Sequence, residues 1–274
     1  MWQTLLHKWL KVPYTLNAVE YQSPKHPTAT IIMLHGIGSS HRLWKKTAKQ
    51  LPPDVRIIAI DLLGFGASPK PHWQTYNVKV QADCVATTLF GMRAVGPIVL
   101  VGHSLGALVS VEFARRYRVM TKSLVLVSPP FYNPEEPSKH LAYKPDAILR
   151  KLYQIMATRP DDTERILRFA GKYNLINSGF TPENISVPAY LATLEAAIIN
   201  QTSLQDALTI KRPMHIISGK LDPVVLDRNI KTIIDANSRA SWTSVVGGHE
   251  IMGLMQSSVV KAVKRAIQEA QNKV

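Results

Sequence analysis

The sequence predicts an α/β protein in which helices cover both faces of a mainly parallel sheet. Two observations support this class. Short apolar, β-branched segments alternate with helical patterns along most of the 274 residues, and 46% of the residues are hydrophobic, which is enough for a large core. One apolar strand also ends in a glycine-flanked serine turn that leads directly into a helix. Strands joined through helices lie parallel, because each connection crosses back over the sheet.

The predicted elements follow one another along the chain. Eight strands are expected, at two extended segments between Val12 and Tyr21 and at 30–34, 55–60, 98–101, 124–128, 214–218 and 242–246. Helical patterns cover 1–11, 42–51, 75–95, 105–117 and 252–272. The alternation breaks only once, after Pro129-Pro130.

Residues 131–210 differ from the rest of the chain because they contain no buried strand pattern. Amphipathic helical segments are expected there at Asp146–Met156, Asp162–Tyr173 and Pro188–Ile199, joined by Pro-bearing turns. We therefore expect an insert at 131–210 in a core formed by residues 1–130 and 211–274.

The turn Gly102-His103-Ser104-Leu105-Gly106 is the first candidate for chemistry. It follows the apolar strand, and its small residues allow a sharp reversal that holds the serine hydroxyl at a strained tip. At the start of the next helix, the N–H of Leu105 can point toward an oxygen on which negative charge develops. A nucleophilic serine also needs a histidine to take its proton and an acid to orient that histidine.

Two later residues supply those partners. Asp222 follows the strand expected at 214–218, and His249 follows the strand expected at 242–246. Because the carboxyl ends of parallel strands share one edge of a sheet, Ser104, Asp222 and His249 are predicted to meet there as nucleophile, acid and base.

These motifs resemble the α/β-hydrolase family, whose nucleophile elbow commonly reads G-H-S-x-G. The resemblance covers nearly all of the chain outside residues 131–210. It implies an α/β-hydrolase fold with an eight-stranded, mostly parallel sheet and an α-helical cap inserted after strand 6, at 131–210. It further implies that His35-Gly36 shapes the loop whose Ile37 N–H completes the oxyanion hole with Leu105.

The resemblance also gives structural roles to two polar residues. The segment Asp61 to Ser68 matches the family's D-x-x-G-x-G-x-S turn, and Asp61 is expected to brace loops through backbone hydrogen bonds. His35, directly after a buried strand, is expected to be held by local hydrogen bonds. Neither residue is expected to take part in the reaction.

The function implied is that of a serine hydrolase that cleaves a carboxylic ester or related acyl bond, without a metal or organic cofactor. The expected substrate is a small molecule with an apolar acyl or alcohol group. The residues of the insert that suggest such a pocket are Phe131, Tyr132, Leu141, Tyr153, Met156 and Phe169, although amphipathic helices pack residues of this kind in any case. Two other reactions of the superfamily stay open, carbon–carbon bond hydrolysis and cofactor-free perhydrolysis. A ligand-binding, receptor-like homologue with little turnover is an alternative of another class.

The charge and the cysteine content bear on the expected partners and location of the protein. The net charge is +14, but residues 131–210 hold 8 Lys and Arg against 9 Asp and Glu, and the basic residues elsewhere are scattered without a nucleic-acid motif. No nucleic-acid partner is expected, and the oligomeric state is open. Cys84 is the single cysteine, so no internal disulfide is expected and a cytoplasmic location is favoured.

The N-terminal segment allows two interpretations. Trp2, Leu5, Leu6, Trp9 and Leu10 form an apolar stripe beside basic residues, within a chain that has no run of eighteen apolar residues. We expect this stripe to pack against the domain and hide both tryptophans. The alternative is weak peripheral membrane contact through residues 1–11.

Overall fold

A seven-stranded sheet forms the centre of the computed structural model, which describes residues 2, 4–94, 96–133, 154, 156, 158 and 186–272. The strands are β1 (Ala18–Gln22), β2 (Thr30–Leu34), β3 (Arg56–Ile60), β4 (Ile98–His103), β5 (Thr121–Val127), β6 (Met214–Gly219) and β7 (Ala240–Val245). Their order across the sheet is β1-β3-β2-β4-β5-β6-β7, and every pairing is parallel except β1 with β3. The predicted α/β class is confirmed.

Helices cover the sheet on both faces. The α-helices among the described residues are α1 (Lys45–Ala48), α2 (Val78–Gly91), α3 (Leu105–Arg116), α4 (Val187–Thr193), α5 (Ser203–Thr209), α6 (Asp227–Ala236) and α7 (Leu254–Gln271), with a 3-10 turn at His41–Trp44 and π-helical segments at Thr4–Trp9 and Leu194–Ile199. Helices α2, α3, α5 and α6 contribute to one apolar cluster, and α1 and α7 contribute to the other. This double cover buries the continuous β-branched strands that the sequence shows.

The described residues contain one strand fewer than the eight expected. Of the two extended segments expected between Val12 and Tyr21, only the second forms a strand, Ala18–Gln22. The backbone before it forms hydrogen bonds with side chains rather than with another strand. The Leu16 N–H donates to Thr88 Oγ1 at 2.9 Å, and the Asn17 N–H donates to Ser68 Oγ at 2.9 Å. As a result, residues 131–210, where the insert is expected, follow the fifth strand, β5, rather than the sixth.

The last part of the expected insert forms helices that pack on the core. The helix predicted at Pro188–Ile199 is confirmed by α4 and the π-helical segment after it. Gln201 Nε2 donates to the Pro130 carbonyl oxygen at 2.8 Å, which ties the end of the insert to its beginning. The helices predicted at Asp146–Met156 and Asp162–Tyr173 lie outside the described residues, apart from single positions.

The N-terminal helix, Thr4–Trp9, does not pack as expected. Trp2 is 76% exposed and Trp9 is 71% exposed, and no residue of the helix is buried. The prediction that both tryptophans are hidden is therefore wrong. The helix instead contacts the domain through an aromatic side chain. The His7 ring stacks on the ring of Tyr14, with 3.7 Å between the two centroids. No helix in the described part of the chain is long and apolar enough to span a membrane.

Candidate active site

Ser104 lies at a strained turn between β4 and α3. Its φ of 52° and ψ of −116° are unfavourable for a residue with a side chain, and the turn is enforced by close backbone contacts on both sides. A Cβ atom on Gly102 would lie 2.3 Å from the Gly106 carbonyl oxygen, and one on Gly106 would lie 2.2 Å from that of Leu34. Both positions therefore require glycine, as the predicted elbow does.

Asp222 and His249 form a pair at the carboxyl ends of β6 and β7. His249 Nδ1 lies 2.8 Å from Asp222 Oδ2, and the Asp222 side chain is fully buried while that of His249 is 21% exposed. Asp222 Oδ1 also accepts the Val224 N–H at 2.9 Å. An ionised carboxylate can only accept hydrogen bonds, so this arrangement places the proton on Nδ1 and leaves Nε2 of neutral His249 as a proton acceptor.

The pKa of Asp222 reflects two opposing effects. Burial raises it, but the hydrogen bond from His249, the positive charge of that ring when it is protonated and the Val224 N–H lower it by more, so the pKa of Asp222 lies below its ordinary value. The pKa of the neighbouring Glu250 shifts in the opposite direction. Burial raises it, and this carboxyl group has no comparable set of hydrogen-bond donors. Asp222 therefore stays ionised beside the histidine.

His103 connects the elbow to the histidine loop, a role that sequence reasoning missed. Its Nε2–H donates to the His249 carbonyl oxygen at 2.9 Å, and the two rings lie 5.1 Å apart. Burial, followed by the charge of His249, lowers the pKa of His103 to about 3, so its ring is neutral. The G-H-S-x-G pattern contains this histidine, but nothing in the sequence indicates a contact across 146 positions.

The segments that carry the two expected oxyanion donors, Ile37 and Leu105, both adjoin the serine turn. A Cβ atom on Gly36 would lie 3.2 Å from Ser104 Cβ, so the loop that carries Ile37 passes directly against the elbow. Leu105 is the first residue of α3, where backbone N–H groups lack partners within the helix. Among the hydrogen bonds of the described residues, neither the Ile37 N–H nor the Leu105 N–H has an acceptor.

His35 is held entirely by its neighbours. Its Nε2 accepts the Leu62 N–H at 2.9 Å, so its Nδ1 carries the proton and donates to the Gly36 carbonyl oxygen at 2.7 Å. Burial lowers its pKa to about 4. Both ring nitrogens are thus occupied, and the ring shapes the loop between β2 and Ile37.

Asp61 is also surrounded by loop donors. Its carboxylate accepts hydrogen bonds from the His41 N–H at 2.5 Å, Asn17 Nδ2 at 2.8 Å and the Ala67 N–H at 2.9 Å. A Cβ atom on Gly66 would lie 2.2 Å from Asp61 Oδ2, and Gly66 has a φ of 51°. The carboxylate therefore ties three loops together and has no contact with His249 among these bonds.

The apolar candidates for the substrate pocket divide into two groups. Phe131 and Tyr132 are buried, and the Tyr132 hydroxyl donates to the Val224 carbonyl oxygen at 2.7 Å, so both hold the base of the insert on the core. Leu141, Tyr153 and Phe169 lie outside the described residues, and Met156 is half-buried. In the described part of the chain, no group of three or more His, Cys, Asp or Glu side chains is arranged to hold a metal ion.

Comparison with known proteins places these features in a family. A family model described as the alpha/beta hydrolase fold matches residues 29–167, about half of the chain. An esterase from Exiguobacterium antarcticum has a similar structure, with a TM-score of 0.75 and 14% identity over 92% of this chain and 95% of that chain. At that identity the likeness concerns the fold.

Sequence relatives include proteins named as esterases and lysophospholipases. A pimeloyl-[acyl-carrier protein] methyl ester esterase of Pseudoalteromonas atlantica is 28% identical over 71% of this chain and 76% of its own length. A probable lysophospholipase of Arabidopsis thaliana, BODYGUARD 4, is 33% identical over 40% of this chain and 27% of its own length. The matches with the plant relatives therefore span about a quarter to a third of those proteins. From the family match and the elbow geometry together, the chain belongs to the alpha/beta hydrolase family.

Proposed function

We propose that the protein is a serine hydrolase that cleaves a carboxylic ester or related acyl bond through Ser104, His249 and Asp222. The observation that carries the proposal is the 2.8 Å contact between His249 Nδ1 and the fully buried carboxylate of Asp222. The carbonyl oxygen of the same histidine accepts a hydrogen bond from His103, the residue before Ser104 in the strained elbow. Relatives named as esterases and lysophospholipases support the same reaction class.

The reaction follows from the protonation states of the three residues. His249 Nε2 takes the proton of the Ser104 hydroxyl as Oγ attacks the carbonyl carbon, and Asp222 stabilises the imidazolium that forms. The Ile37 and Leu105 N–H groups donate to the resulting oxyanion. The imidazolium then returns its proton to the departing alcohol, which leaves an acyl group on Ser104.

Water completes the turnover. His249 removes a proton from a water molecule, the hydroxide attacks the acyl-enzyme, and the proton passes to Ser104 Oγ as the carboxylic acid is released. The substrate that we propose has an apolar acyl or alcohol group, because the sequence of residues 131–210 offers apolar and aromatic side chains for such a pocket.

Hydrolysis of p-nitrophenyl esters of graded acyl length tests the proposal. We expect wild type to hydrolyse at least one ester, and we expect Ser104→Ala to fold normally and lose activity by several orders of magnitude. Ser110→Ala, at a buried serine of α3, is the matched control and should keep its activity. Equal rates for wild type and Ser104→Ala would refute the assignment.

A further inference from the structure

The exposed hydrophobic side chains are concentrated at the edge of the sheet that holds Ser104. Residues 4–17 reach this edge because β1 runs antiparallel and begins opposite the carboxyl end of β3, where Ala18 pairs with Ile60. Trp73 belongs to the loop that follows β3, and the Lys8 amine lies 5.9 Å from the centre of its ring. The N-terminal helix therefore lies on the catalytic edge.

Two groups of exposed apolar residues flank this edge. The N-terminal apolar face consists of Trp2, Leu5, Leu6, Trp9 and Leu10. The second group, here called the apolar rim, follows β6 and β7 at the other end of the sheet and consists of Leu221, Val246, Met252 and Leu254, each more than 60% exposed.

The opposite edge of the sheet is different. Among the large hydrophobic side chains that are exposed in the described ranges, only Phe90, at the end of α2, and Val119, before β5, lie there. Scattered exposed apolar residues are common on any protein, but clustering at one edge marks a contact surface. The clustering here surrounds the proposed nucleophile.

The charged side chains of the same edge indicate which kind of partner it would bind. Its described segments carry Lys8, Lys11, Arg42 and Lys220 at exposed positions. The carboxylates of Asp61 and Asp222 are enclosed by their own hydrogen-bond partners, and Glu250 is half-buried. Asp227, at the start of α6, is exposed, but it has the exposed Arg228 beside it, so the exposed groups of these segments are mainly basic. Basic side chains beside exposed indole rings are complementary to an anionic lipid surface, where tryptophan sits at the headgroup level.

A second copy of the chain fits this surface less well. A two-fold interface would bring the same patch of both copies together, and the lysines and arginine of one copy would face those of the other. Such like-charge contacts oppose association, whereas anionic headgroups neutralise the basic groups.

We propose that the catalytic edge docks on anionic lipid surfaces, with the N-terminal apolar face entering the headgroup and acyl boundary and the apolar rim contacting the same surface. A six-residue helix provides only part of this contact, and the rim at the other end of the sheet adds a second point. Docking in this orientation presents Ser104 to acyl esters in the lipid. That last step rests on the proposed function, while the docking itself does not.

Vesicle co-sedimentation tests the proposal. Full-length wild type is mixed with phosphatidylcholine vesicles, with and without phosphatidylserine, at low and high salt. We expect binding that requires phosphatidylserine and weakens with salt, and we expect Trp2→Ser/Trp9→Ser to bind at least about tenfold more weakly. The control Phe90→Ser/Val119→Ser removes exposed apolar groups from the opposite edge and should bind like wild type.

Two further measurements separate this proposal from its alternatives. Hydrolysis of a water-soluble ester by all three proteins should be equal, because neither pair of substitutions touches the proposed triad. Light scattering without vesicles should show the same molar mass for wild type and Trp2→Ser/Trp9→Ser. Absence of vesicle binding, equal loss in the control pair, or self-association that depends on Trp2 and Trp9 would each overturn the proposal.

Discussion

Replacement of Asp222 by asparagine would alter the protonation of His249 while leaving the shape of the site intact. Asp222 Oδ1 accepts the Val224 N–H at 2.9 Å, so the amide oxygen of an asparagine must take that position. Its NH2 group then faces His249 Nδ1, where Oδ2 now lies at 2.8 Å. Two donors cannot face each other, so Nδ1 must become an acceptor and the proton must move to Nε2.

The expected cost follows from this change of tautomer. A histidine protonated on Nε2 cannot take the proton of Ser104, and loss of the correct tautomer in a Ser-His-Asp triad costs roughly ten-thousand-fold in kcat, or about 5 kcal/mol of transition-state stabilisation. The free energy of unfolding should change by no more than about 1 kcal/mol, because the amide is isosteric and both hydrogen bonds can still form.

Steady-state hydrolysis of a p-nitrophenyl ester, together with denaturant unfolding of the same samples, measures both quantities. Asp227→Asn, the same substitution at an exposed position at the start of α6, is the matched control and should match wild type in both. A folded Asp222→Asn protein that keeps more than about a tenth of wild-type kcat would refute the tautomer argument.

Two other predictions concern stability. Asp61→Asn should lower the free energy of unfolding by about 2–4 kcal/mol, because at least one of the three loop donors loses its acceptor. A folded Asp61→Asn protein without turnover would contradict the bracing role. Burial lowers the pKa of His35 to about 4 and that of His103 to about 3, so both rings stay neutral in the folded protein while unfolded histidines bind protons below about pH 6.5. The free energy of unfolding should therefore be highest above about pH 6.5 and should fall by about 2 kcal/mol per ring by pH 5. Denaturant titrations across that range measure this change, and a free energy of unfolding that stays constant would be inconsistent with buried neutral rings.

Much of the core could be predicted from the sequence because its signals are local. The strand Thr30–Leu34 is continuous and apolar, and the structure has it with the same bounds. The elbow needs glycine at 102 and 106 for contacts that are set within a few residues of the serine or by the adjacent strand. The carboxyl ends of β6 and β7 then bring Asp222 and His249 together, as parallel strand order implies.

The errors arose where distant residues decide the structure. The first extended segment near Val12 does not become a strand, because Thr88 and Ser68 take the N–H groups that a sheet would use. The N-terminal stripe has the same helical spacing whether it is buried or exposed, so its pattern could not reveal the exposure of Trp9. The contact between His103 and the His249 backbone likewise depends on folding of the whole sheet.

Covalent labelling of the nucleophile tests the central claim most directly. A fluorophosphonate should add once to the folded wild-type protein, and mass spectrometry of its peptides should place the adduct on Ser104, with no adduct in Ser104→Ala. His249→Ala should label far more slowly, since it lacks the base that takes the serine proton. An adduct on another residue, or one that persists in Ser104→Ala, would contradict the assignment of Ser104 as the nucleophile.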